Sequence, residues 1–192
     1  MTTIINASSV NGVTITSDTS GQLAFQSNGG NTITVPQVAG TMLTTGSPQS
    51  GGVIQVVQSS FATQASTSSS TFANTGLSAS ITPKFANSKV LIMVTANGTG
   101  KTTNNTYGKF RIVNGSSTVI TNIDQSYGFS QNTTQIEASL AMNWLDSPAT
   151  TSTVTYYLQF ASGANNASVF INNYQNSNGD TVSTLTLMEI AA

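Results

Sequence analysis

Three of the chain's six acidic side chains, Asp124, Glu137 and Asp146, fall in one stretch that strands can fold back on itself. Two carboxylates flanking a glycosidic bond hydrolyse it, one as the acid and the other as nucleophile or base. A second pattern, "VTANGTGKT", places Gly98, Gly100, Lys101 and Thr102 after an apolar run and imitates the end of a phosphate-binding loop. A true loop of that kind has glycine where this chain has Thr95, and it opens a helix whose N-terminus receives the phosphate. Here "TNNTYGKF" follows, which reads as a hairpin loop with Lys101 in solvent.

The rest of the catalytic alphabet is missing. With no His and no Cys among 192 residues, there is no imidazole to titrate near neutrality, no thiolate nucleophile and no zinc ligand of either type. A Ser triad lacks its base. The acids are too scattered for a calcium site, which gathers carboxylates. Each acid therefore reads as a turn residue or a solvent-face charge, and the expectation is a protein without enzymatic activity, cofactor or metal.

Charge excludes further classes. Charged residues make up 6% of the chain, and the sole one before Lys84 is Asp18. Five basic residues form no electropositive stripe, so nucleic acid is not an expected partner. The longest apolar run, Val90 to Val94, is a strand's length and far short of the roughly 18 residues of a membrane helix. The start "MTTIINASSV" lacks the basic and apolar regions of a secretory signal. Absence of Cys fits synthesis in a reducing cytosol. Hydrophobic content of 38% is low, but net charge is only −1, and the apolar residues recur regularly, which favours order over disorder.

The elements that position these residues are strands. In "TQIEASLAMNW" the residues Ile136, Ala138, Leu140, Met142 and Trp144 alternate with Glu137, Ser139, Ala141 and Asn143, the pattern of a half-buried strand. Val154, Tyr156, Leu158 and Phe160 alternate with Thr155, Tyr157 and Gln159, and Phe110 and Ile112 with Lys109 and Arg111. Further strands are expected at Val53–Phe61, Leu77–Thr82, Lys89–Ala96, Ser117–Asn122, Ser168–Asn172 and Val182–Ile190, about nine from Val53 onward. Asn97-Gly98, Asn114-Gly115 and Asn178-Gly179 offer the positive φ angles of tight hairpin turns. Short strands punctuated in this way predict an all-β sandwich or jelly roll with essentially no helix.

Two kinds of residue stand apart. Tyr107, Tyr127, Tyr157 and Tyr174 fall at strand ends, in turns or on outward faces, whereas Trp144 and Tyr156 fall on predicted core faces. Glu189 shares a strand face with Leu185 and Leu187, so it must either sit in solvent at the strand end or meet Lys or Arg at a subunit seam.

Residues 1–50 differ from residues 51–192. Short β-like pieces at Thr3–Ile5, Val13–Thr16, Gln22–Gln26 and Thr32–Val35 alternate with Gly and Asn turns, and "TGSPQSGG" supplies a flexible joint. So few large apolar groups cannot offset backbone ordering at roughly 1–2 kcal/mol per residue. Either the segment is floppy or, as the alternation of Ile15 with polar neighbours and of Leu23 with Phe25 favours, it gains order by pairing its uncharged strands with other chains. Ile4, Ile5, Val13, Ile15, Leu23 and Phe25 are the residues expected to bind a partner.

The run "ITPKFANSKVLI" (Ile81–Ile92), after "STFANTGLSAS", resembles a module of tailed-bacteriophage virion surface proteins, with Pro83, Lys84, Ser88, Lys89, Val90, Leu91 and Ile92 at matching positions. The closing "TLTLMEI" is similar to that family's terminal strand, and "NGVTITSDTSGQLAFQSNGG" with "ITVPQVAGTMLTT" resembles attachment segments of phage fibres and head decorations. The resemblance implies a jelly-roll-like knob, usually a homotrimer, behind an N-terminal attachment segment. It implies a virion structural protein made in the host cytoplasm and carried on the virion surface, with the chain itself and a major capsid or tail protein as partners. Within that class the expectation is a capsid decoration (cement) protein. The alternative is a short tail fibre whose loops Asn97–Tyr107 or Asn172–Asp180 bind a host-surface glycan.

Overall fold

The computed structural model describes residues 23–26, 32–35, 48–115, 117–126, 135–164, 167–173 and 181–192, the first two stretches by backbone alone. The chain divides into two units, Met1–Leu43 and Thr44–Ala192. In the first, strands β1 (Leu23–Gln26) and β2 (Thr32–Val35) pair antiparallel, with Leu23 opposite Val35 and Phe25 opposite Ile33. The strands expected at Thr3–Ile5 and Val13–Thr16 lie outside the described residues.

Among its described residues the second unit holds ten strands: β3 (Val53–Phe61), β4 (Ala65–Thr67), β5 (Ala73–Ile81), β6 (Lys89–Lys101), β7 (Gly108–Asn114), β8 (Val119–Ser126), β9 (Ile136–Asp146), β10 (Val154–Ser162), β11 (Val169–Ile171) and β12 (Ser183–Ile190). One sheet runs β3-β12-β6, with β9 on the opposite side of β6 and the short β11 and β4 extending it. The other runs β5-β10-β7-β8. Every pairing is antiparallel. Of the eight long strands, only β7 and β8 follow one another within a sheet, and every other connection crosses between sheets. Two four-stranded sheets wound in this order form a jelly-roll-like antiparallel β-sandwich.

Period-two alternation builds the core. From one sheet come Val90, Ile92, Val94, Met142, Leu185 and Leu187, and from the other Leu77, Ala79, Ile81, Phe110, Ile112, Tyr156, Leu158 and Phe160. Full burial of one large aliphatic side chain contributes about 1.5–3 kcal/mol. Tyr156 brings a polar tip, and its hydroxyl donates to Asp146 Oδ2 at 2.7 Å. Burial first, then this carboxylate partner, pushes the Tyr156 phenol well above its ordinary range.

Several expectations need correction. Trp144 does face inward, opposite Ile92, yet it is 47% exposed because β9 is an edge strand that overhangs the core. Asn97-Gly98 is not a turn. The strand expected to end at Ala96 continues to Lys101, and its register shift between Ala96 and Thr99 marks a bulge in which Gly98 has φ +52. A Cβ there would meet the Asn173 carbonyl oxygen at 2.5 Å, so only glycine fits. Asn114-Gly115 does enter the β7–β8 turn, closed by Asn114 N–H donating to the Thr118 carbonyl, but the positive φ falls on Ser117 and not on the dipeptide. Asn178-Gly179 lies outside the described residues.

Lys101 is not in solvent. It is fully buried at the end of β6, its ammonium donates to the Thr106 carbonyl at 2.8 Å, and burial lowers its pKa. Its segment is strand, with no helix following. Glu189 is likewise buried, neither in solvent nor beside a Lys or Arg side chain among the described residues, and the donors it meets are neutral. Its Oε1 accepts from the backbone N–H groups of Lys84 and Phe85, at 2.8 and 3.2 Å, and its Oε2 from Gln55 Nε2 at 2.6 Å.

Candidate functional site

The three acids considered for hydrolysis do not form a catalytic pair around Glu137 and Asp146. These two stand at opposite ends of β9, roughly 30 Å apart at about 3.3 Å per residue, where a glycosidase pair needs about 5–9.5 Å. Glu137 accepts hydrogen bonds from Gln135 and Asn173, and Asp146 holds the Tyr156 hydroxyl. Asp124 is exposed on the edge strand β8. Among the described residues no three such groups gather as metal ligands.

The two sandwich faces turned away from the core differ sharply. On the β3-β12-β6-β9 sheet, the register aligns Val56, Met188, Leu91 and Leu145 in one row across four strands. Ile190 and Val53 pair beside that row at one end, and Met93 follows Leu91 on the same face at the other. Val53 and Val56 are 56% and 55% exposed, and Leu145 47%. An antiparallel sheet with one wet face carries polar residues there, so an apolar row across the whole width marks a face made to be covered.

Sequence reading missed this face, although a signal was present. "VLIMV" in β6 is apolar at five consecutive positions, so both faces of that strand are apolar. A run without alternation means burial on both sides. Reading the run as one strand, Lys89–Ala96, too short for a membrane helix, leaves its second apolar face without a meaning.

The outer face of the β5-β10-β7-β8 sheet is polar. Ser78 and Ser80 from β5 lie opposite Tyr157 and Thr155 from β10, and Gln159 lies between Asn74 and Arg111. Arg111 places its guanidinium 4.0 Å above the Phe72 ring and donates from Nε to Gln159 Oε1 at 2.7 Å. Gln159 Nε2 in turn donates to Asn74 Oδ1 at 2.8 Å.

Of the residues expected to bind a partner, Ile4, Ile5, Val13 and Ile15 lie outside the described residues. Leu23 and Phe25 occupy β1. Of the two loops expected for glycan contact, Asn97–Tyr107 belongs to strand β6 as far as Lys101 and is irregular beyond it, and Asn172–Asp180 is described only at Asn172 and Asn173. Asn172 is buried, with its amide donating to the Phe61 and Thr63 carbonyls, and so serves the fold. Tyr127 and Tyr174 are outside the described residues, while Tyr107 and Tyr157 are half-buried.

No family model matches this chain, and no curated protein does. Among solved structures, the VP2 subviral particle of infectious bursal disease virus is a distant neighbour at 13% identity and a TM-score of 0.38. That alignment covers 76% of this chain, which spans 39% of the length of the VP2 chain.

Proposed function

We propose that this protein is a non-enzymatic structural component of a phage virion surface, a homotrimeric capsid decoration protein held to the shell by its N-terminal segment. The observation that carries this reading is the apolar row Val56–Met188–Leu91–Leu145 on an otherwise neutral exterior. Four strands at about 4.8 Å spacing make a strip too broad to be left wet and too flat to hold a small molecule. A second copy supplies a matching surface, and closed symmetry stops the association from running on.

The hairpin β1–β2 supports an attachment role for residues 1–50. Two strands of four residues are marginal in water by themselves. Pairing with a capsid subunit supplies the missing sheet neighbours, and three copies per trimer multiply a weak contact into a firm one.

The alternative is a short tail fibre. A gel of purified virions separates the two: a decoration protein is present in hundreds of copies and a fibre in tens. A band at fibre abundance overturns the decoration assignment.

A further inference from the structure

We propose that the outer face of the β5-β10-β7-β8 sheet binds an acidic oligosaccharide, with Arg111 taking a carboxylate and the depression beside Tyr157 seating a neighbouring ring. The inference goes beyond the structural role above and holds for a knob seated on a capsid or on a tail.

Three observations converge on this face. A shallow depression of about 400 Å³ lies between the β7–β8 turn and the β9–β10 loop, lined by Asn114, Thr150, Thr153, Thr155 and Tyr157 with Pro148. Hydroxyl and amide groups around a half-buried tyrosine match a sugar ring, which presents hydroxyls at its rim and C–H bonds on its face.

Second, Arg111 is fixed before any ligand arrives. Phe72 supports its plane and Gln159, itself held by Asn74, occupies its Nε. Its Nη groups donate to no described residue. A guanidinium held in this way offers paired N–H donors to a carboxylate with little ordering left to do.

Third, Lys109 follows two residues along β7 on the same face, with its ammonium 5.7 Å from the Tyr107 ring centroid. That ring lies so close to Gly163 that a Cβ there would overlap it. Two of the chain's five cations thus share one face of a protein with net charge −1. Along β10 the register steps from Tyr157 opposite Val113, through Gln159 opposite Arg111, to Ala161 opposite Lys109. These steps of about 7 Å span about 14 Å, the reach of a short oligosaccharide.

The test titrates the full-length protein with trigalacturonate, its methyl ester and inorganic phosphate, following amide chemical shifts and heats of binding. Trigalacturonate is expected to bind and to shift resonances of β7 and β10, and esterification to weaken binding at least about tenfold. Arg111→Lys keeps the charge but loses the fork, and is expected to weaken acid binding by a similar factor. Tyr157→Ser is expected to weaken acid and ester alike. Should the Arg111 variant melt early, Lys109→Ala gives an independent reading, with a loss of severalfold that fades with salt. No binding at millimolar trigalacturonate, equal binding of the ester, or indifference to both cation substitutions overturns the proposal. Phosphate binding as tight as the saccharide's overturns the saccharide assignment and leaves a simple anion site.

Discussion

Glu189 shows how this chain manages a buried charge with hardly any cations. Burial alone pushes its carboxyl up, but donation from Gln55 and from the Phe85 and Lys84 N–H groups outweighs that and holds it below the ordinary glutamate value of 4.5. The buried Ser88 hydroxyl pulls the same way, although it falls short of hydrogen-bond geometry. A carboxyl lowered in the fold stabilises it above the unfolded-state pKa, and this contribution is lost as pH falls through the folded value. Glu189→Gln turns an amide donor towards other donors and is expected to lower stability by about 2–3 kcal/mol at pH 7. Urea melts at pH 7 and at pH 3 check this: the gap between variant and wild type should narrow at the lower pH, and a constant gap would contradict the assignment. The same contact ties the closing strand to the turn after Pro83, since Glu189 accepts from the Lys84 and Phe85 N–H groups. The sequence put Glu189 on one strand face with Leu185 and Leu187, and the fold buries it there in place of the two settings expected for it, solvent or a subunit seam. Sequence could not reveal the partners, because backbone N–H groups leave no compositional trace.

At the scale of the element, alternation reveals which way a side chain points but not how far its strand reaches over the core. Tyr156 and Trp144 were both assigned inward. Tyr156 on the internal strand β10 is buried, and Trp144 on the edge strand β9 is half exposed. Removing a side chain at the centre and at the overhang should therefore differ: Leu187→Ala is expected to cost about 2–5 kcal/mol, and Trp144→Ala distinctly less, as read by chemical denaturation. Asn-Gly failed as a turn signal at Asn97 for a related reason. The dipeptide reports only a need for positive φ, which a bulge within a long strand meets as well as a hairpin does. Gly98→Ala is expected to lower stability by more than about 1 kcal/mol, since it adds both strain and a clash with Asn173. A neutral result in thermal melts would remove the bulge as a constraint. The short β4, three residues of Ala-Ser-Thr, carried too little pattern to be seen at all.

For the whole molecule, one outer face is apolar and the other polar, and the proposed trimer would use the apolar one. Leu91 sits in the middle of the apolar row but outside the core. Leu91→Asp is therefore expected to leave the knob folded by circular dichroism while light scattering reports a monomer in place of a trimer. A variant that remains trimeric would place the subunit contact elsewhere. The fold class was legible because strand periodicity and turn residues are local. The apolar outer face left one trace in the sequence, the unbroken apolar run in β6, whose meaning depends on neighbours that sequence does not name.

The position of β12 carries a consequence for biogenesis. It lies between β3 and β6, so the first sheet has a vacant central slot until residues 183–190 have left the ribosome. Nascent chains shorter than that leave β3 and β6 each with an unpaired edge and their inward apolar residues uncovered, the features that make a chain prone to aggregate. Synthesis thus sets the order of events: translation through this strand first, closure of the sandwich next.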